Sequence, residues 1–161
     1  MDRRTLLKSM AAAGAMAGGL AGTAMAADRE TLPLIKPKRL QKDMTVGLIA
    51  PAGASNNRQQ VLHAIDVLKS LGYRVKEGHN LYRRTQYLAG TDLERAEDIN
   101  WAFSDPEVDA VFTLHGGYGT MRTLPYLDYE TIRTNPKIVI GYSDLTGLLR
   151  GIHATTGLAT F

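Results

Sequence analysis

Ser143 stands at the end of the apolar, β-branched run Lys137-Ile138-Val139-Ile140, after Gly141 and Tyr142 and ahead of Asp144-Leu145-Thr146. Val and Ile favour a buried pleated strand. Leu145, Leu148, Leu149 and Ile152 then recur at i, i+3, i+4 and i+7, one face of a helix. The serine therefore falls on a strand-to-helix corner. There the first N–H groups of the helix lack intrahelical partners and the dipole is positive, so an oxyanion forming beside a nucleophilic Ser143 would be stabilised. The position suits a plain N-cap by Ser143 or Asp144 equally well, and the local residues leave both readings open.

A nucleophilic serine needs a base, usually a histidine oriented by a carboxylate. The chain has four histidines. His153 lies nearly three helical turns beyond Ser143, about 15 Å by helical rise and out of reach. His63 and His79 read as surface residues, and His115 as a loop or substrate-contact residue. The elbow pattern Gly-x-Ser-x-Gly is also incomplete, because Leu145 replaces its second glycine; Gly141 is the small residue able to make room for a sharp turn.

The second constellation is Gly116-Gly117-Tyr118-Gly119. Its glycines permit positive φ and close approach, so backbone N–H groups could face an anion or a carbonyl oxygen. A tight strand-to-helix turn is the plainer reading. The loop matches neither the Walker A pattern nor Gly-x-Gly-x-x-Gly, which disfavours a nucleotide site. The chain has no cysteine, which excludes disulfides, thiolate zinc sites and a cysteine nucleophile. No histidine pair has the spacing of a helical metal site.

These loops must be carried by regular elements. Thr45-Val46-Gly47-Leu48-Ile49-Ala50 reads as a buried strand, followed by a helix capped by Ser55 or Asn56, with Val61, Ile65, Leu68 and Leu71 inward and Gly72 as its stop. Tyr73 to Lys76 reads as a strand nearer an edge. Thr91-Asp92-Leu93-Glu94 has capping-box spacing and opens a helix through Ala96, Ile99 and Phe103 to Asp105-Pro106. Ala110 to Leu114 is the strand entering the glycine loop, and Met121 to Arg133 reads as helical pieces broken at Pro125. Strand and helix alternate throughout, which predicts an α/β fold with a parallel sheet covered on both faces. Ligands bind such sheets beyond the carboxyl ends of the strands, where both loops lie.

Residues 1–26 read as a twin-arginine export signal: Arg3-Arg4 and Lys8, an uncharged Ala/Gly/Met stretch, and the small-residue site Ala24-x-Ala26. The glycines and alanines of that stretch argue against a membrane-spanning helix, so no stable anchor is expected after cleavage. Removing them takes away Arg3, Arg4 and Lys8 with Asp2, and the formal net charge falls from +3 to +1. A nearly neutral remainder without basic and aromatic interleaving argues against nucleic acid as a partner. Residues 27–44 form a polar linker or edge segment, and residues 45–161 one domain of ordinary size. Gly157 to Phe161 reads as the start of a further strand.

Four ordered motifs resemble the LD-carboxypeptidase family, the S66 serine peptidases that include the microcin C self-immunity peptidases. They are Thr45 to Ala52, Asp109 to Gly119, Leu124-Pro125-Tyr126-Leu127-Asp128-Tyr129, and Ile140-Gly141-Tyr142-Ser143-Asp144-Leu145-Thr146. The resemblance runs from about Lys38 to Phe161. It implies a flavodoxin-like α/β domain, a separate β-rich C-terminal domain absent from this chain, and a homodimer in the full-length form. It implies Ser143 as nucleophile and the N–H groups of Gly117 and Asp144 as oxyanion hole, with Gly116, Tyr118 and His115 at the substrate. The family's triad glutamate and histidine belong to the C-terminal domain and have no counterpart here. Relatives often carry arginine at the position of His115, and a neutral imidazole would hold a substrate carboxylate less strongly.

The expected activity is removal of terminal D-alanine from murein tetrapeptides, with no metal or organic cofactor needed, in the periplasm or after export, although many relatives act in the cytoplasm. The alternative is a catalytically incomplete binding module for peptidoglycan fragments, or a truncated product.

Overall fold

The computed structural model of the chain describes residues 32–161; the export-signal reading of residues 1–26 lies outside them. The elements run β1 (Thr45–Ile49), α1 (Arg58–Ser70), β2 (Arg74–Glu77), α2 (Asp92–Ser104), β3 (Ala110–Thr113), α3 (Tyr129–Thr134), β4 (Ile138–Ile140) and α4 (Leu145–Thr156). Two 3-10 turns, Thr120–Arg122 and Leu124–Tyr126, lie between β3 and α3. The strands pair in the order β2-β1-β3-β4, all parallel, as strand–helix alternation predicts.

Side-chain alternation along the strands assigns the two faces. Val46 and Leu48 of β1 point to Val61, Ile65 and Leu68 of α1. Ile49, Val111 and Val139 point the other way, to Ile99 and Phe103 of α2, Ile132 of α3 and Leu148 and Ile152 of α4. The helices therefore cover both faces, one against three. Gly47 allows α2 and the segment after it to sit close: a β-carbon there would lie 3.6 Å from Ala102 Cβ and 3.0 Å from Val108 Cγ1.

Beyond α4 the chain returns to the sheet. Phe161 N–H donates to the Val139 carbonyl, and the Phe161 carbonyl accepts from Gly141 N–H, each at 3.0 Å. These two bonds seat Phe161 beside β4. Leu158 also forms a parallel bridge with Ile35, within the segment read as linker or edge.

Several boundaries shift for local reasons. The cap of α1 is Asn57, whose side chain accepts from Gln60 N–H at 3.0 Å. Ser55 and Asn56 do not cap it, because Ser55 Oγ donates to the Asn57 carbonyl and Asn56 N–H to Gln60 Oε1. Leu71 is not on the buried face; it is the C-cap, 56% exposed, just before Gly72 turns at φ +89°. Pro125 does not break a helix but sits inside the second 3-10 turn, where its missing N–H costs nothing. The capping box of α2 is formed in both directions between Thr91 and Glu94. Lys137, 9% exposed, donates to the carbonyls of Ala102 and Asp105 at the end of α2, and burial holds its pKa below the usual lysine value.

Candidate active site

At the carboxyl end of β4 the chain turns sharply, and Ser143 takes φ +62°. The left-handed region costs a non-glycine residue about 1 kcal/mol, and it lifts Ser143 out of the sheet into an exposed position. Gly141 supplies the room: a β-carbon there would lie 2.8 Å from Leu145 Cβ. Leu145, in place of the elbow's second glycine, is fully buried beneath the turn. The corner is closed by N–H donation from Leu145 to the Tyr142 carbonyl at 3.2 Å and from Thr146 to the Ser143 carbonyl at 3.0 Å.

Neither candidate cap acts as one. The Asp144 side chain accepts no hydrogen bond from α4; its Oδ2 accepts from Thr120 N–H at 3.0 Å instead. Among the described residues Ser143 Oγ has no hydrogen-bond partner, so the corner presents the hydroxyl and spends nothing on capping.

The glycine loop lies against this corner. A β-carbon on Gly116 would stand 2.9 Å from Ser143 Cβ and 3.3 Å from its Oγ, so only glycine admits the approach. Gly117 follows at φ +136° and is exposed. Among the described residues neither Gly117 N–H nor Asp144 N–H donates to a protein acceptor; Asp144 directly follows Ser143, and Gly117 follows the Gly116 that lies against it. Tyr118 and Tyr142 are largely exposed at the same end, and the Tyr118 ring meets Tyr87 edge-on at 6.2 Å.

His115 turns back on its own loop. Its Nδ1 donates to the Gly116 carbonyl at 2.8 Å, and that carbonyl also accepts from Gly53 N–H at 3.3 Å. His153 is engaged with the Leu158 carbonyl at 2.9 Å. Both contacts spend a ring nitrogen on backbone.

Two buried residues not singled out in the sequence hold the loops. Arg95 is 1% exposed; its Nη1 donates to the carbonyls of Pro51 at 2.8 Å and Gly119 at 3.0 Å, and its Nη2 pairs with Asp92. It thus ties the loop after β1 to the glycine loop. Burial lowers its pKa, and Asp92 opposes that effect. Thr120 is fully buried and meets Asp144 twice. One signal for Arg95 was available: it lies at i relative to Ile99 at i+4 and Ala102 at i+7, a cation on the inward face of α2. Thr120 carried none.

A parallel α/β sheet that presents a left-handed serine at a strand-to-helix corner, with unpaired N–H groups beside it, has the geometry of a nucleophile elbow. Residues 46–161 match the family described as LD-carboxypeptidase N-terminal domain, and the chain belongs to that family. It is 46% identical over 126 residues to a probable murein peptide carboxypeptidase of Bacillus subtilis, across 78% of this chain and 39% of that protein. It is 38% identical over 119 residues to the murein tetrapeptide carboxypeptidase of Pseudomonas aeruginosa, across 69% of this chain and 36% of that protein. Among solved structures, the MccF-like protein of Bacillus anthracis matches with a TM-score of 0.74 and 34% identity, covering 78% of this chain and 39% of that one. The chain thus spans about two-fifths of the length of these relatives.

Proposed function

We propose that the protein carrying this chain is a serine-type LD-carboxypeptidase that removes terminal D-alanine from murein tetrapeptides, and that this chain is its nucleophile-bearing half. The observation that carries the reading is Ser143 at φ +62°, held against Gly116 with the Asp144 N–H beside it. Membership of a carboxypeptidase family and the murein-related names of two relatives support the substrate class.

In this reading Ser143 Oγ attacks the carbonyl carbon between the L-centre of the third residue and D-alanine. The Gly117 and Asp144 N–H groups receive the oxyanion. Collapse expels D-alanine as its amine takes up a proton, and water then releases the acyl group from Ser143. The base that takes the Ser143 proton would come from outside these residues, from the glutamate–histidine pair that the family resemblance implies. No metal or organic cofactor is invoked. The full-length form would be a homodimer, and the Arg3-Arg4 leader supports export by the twin-arginine route to where murein is met.

The test is to express the coding sequence with any reading frame that continues past Phe161, supply a murein tetrapeptide and measure D-alanine release. Ser143→Ala should abolish it; release at the parental rate would remove Ser143 from the mechanism. A second reading, a muropeptide-binding module, rests on Ser143 Oγ having no hydrogen-bond partner among the described residues, so that no base among them activates it. Labelling of Ser143 by a fluorophosphonate supports the enzyme, and muropeptide binding without labelling supports the module.

A further inference from the structure

The N–H that would complete the oxyanion hole belongs to Asp144, and Asp144 is gripped at both ends by one residue. Thr120 N–H donates to the Asp144 carboxylate at 3.0 Å, and Thr120 Oγ1 donates to the Asp144 carbonyl at 2.6 Å. These bonds fix the side chain and the following peptide plane together, so the residue has little freedom to rotate about its own backbone. Thr120 is itself immobilised. It is fully buried, its carbonyl accepts from Thr123 Oγ1 at 2.7 Å, and the preceding Gly119 carbonyl is held by the buried guanidinium of Arg95 at 3.0 Å.

We infer that Thr120 is a positioning residue for the oxyanion hole, aligning the Asp144 N–H on the corner with the Gly117 N–H on the glycine loop. The two donors sit on separate segments, one after β4 and one after β3, and a displacement between them of about 1 Å would cost catalysis far more than stability. Thr120 is the direct bond between the segments, and Arg95 anchors the loop from behind. The inference rests on the serine-hydrolase reading, in which Asp144 N–H faces a developing charge.

The test compares Thr120→Val, which keeps the shape and removes the hydroxyl, with Thr120→Ser, which keeps the hydroxyl. The expected result in the D-alanine release assay is a fall in kcat of about tenfold or more for the valine variant, KM within about twofold, and a serine variant within about threefold of the parent. Asp144→Ala, which removes the carboxylate acceptor and leaves the N–H, should show the same split, and it serves where the valine variant does not fold. In amide exchange on the chain itself, the valine variant should lose protection at Leu145 and Thr146 N–H, which close the corner, and the serine variant should keep it. A valine variant that changes only the melting temperature overturns the assignment, as does a serine variant that falls as far as valine. Should the parent release no D-alanine, the functional reading falls, and equal protection in parent and valine variant then overturns the clamp independently.

Discussion

Gly116 and Ser143 are in contact: a β-carbon added at residue 116 would lie 2.9 Å from Ser143 Cβ and 3.2 Å from the Tyr142 carbonyl oxygen. One of these neighbours is backbone and the other is fixed to it, so neither can swing aside. Gly116→Ala must therefore push the corner away from the glycine loop. Displacements near 1 Å cost about a hundredfold in rate, and we expect kcat/KM for D-alanine release to fall by about that factor. A variant with parental turnover would show that the two loops need not touch.

The left-handed backbone at Ser143 gives a prediction of opposite sign for stability. Serine and alanine bear the same penalty at φ +62°, and glycine escapes it. Ser143→Gly should be inactive yet more stable than Ser143→Ala by about 1 kcal/mol. In thermal unfolding that is a difference of about 4 °C for a domain of this size. Equal melting temperatures would mean that the corner relaxes once the hydroxyl is gone.

Where local pattern decided the structure, the sequence was legible. The continuous apolar run of β1 predicted a strand buried on both faces, the i, i+3, i+4, i+7 stripe of α4 predicted its buried face, and Thr91 with Glu94 predicted a capping box that forms as written. The corner was legible as a place, but cap and nucleophile share one residue type, so the local residues left both open; the φ of Ser143 and the diversion of Asp144 to Thr120 remove the cap. Arg95, Thr120 and Gly53 act through bonds to residues 24 to 63 positions away, to Pro51, Gly119, Asp144 and Gly116. No window along the chain brings those pairs together.

Glu94 offers a pH test of the capping box. Its carboxylate accepts from Thr91 N–H at 2.8 Å, and this bond, with that to the Thr91 side chain, holds its pKa below the usual 4.5. A folded pKa below the unfolded one means that the unfolded chain binds the proton more readily. The ionised group therefore stabilises fully above about pH 4.5 and loses that contribution as pH falls through the lowered value. Glu94→Gln keeps an acceptor and removes the charge. The parent should melt above the variant at pH 7, with the gap closing below about pH 4. A gap that does not change with pH would assign the effect to packing.

Gly47 separates stability from the site. It lies mid-strand in β1, with Val108 Cγ1 at 3.0 Å and Ala102 Cβ at 3.6 Å from the position of an added β-carbon. Two effects oppose one another there. Replacing glycine in a strand gains about 0.5–1 kcal/mol of backbone entropy, whereas overpacking a filled core costs about 1–3 kcal/mol. For alanine the terms nearly cancel, because Val108 need yield only a few tenths of an ångström, and the net loss should stay below about 1 kcal/mol. For valine two further methyl groups enter the same gap between β1 and α2, and the loss should reach about 2 kcal/mol or more in denaturant unfolding. Because Gly47 touches neither the corner nor the glycine loop, turnover per folded molecule should match the parent in both variants. A valine variant as stable as the parent would mean that α2 can move off the sheet without loss, which its buried Ala102 and Phe103 argue against.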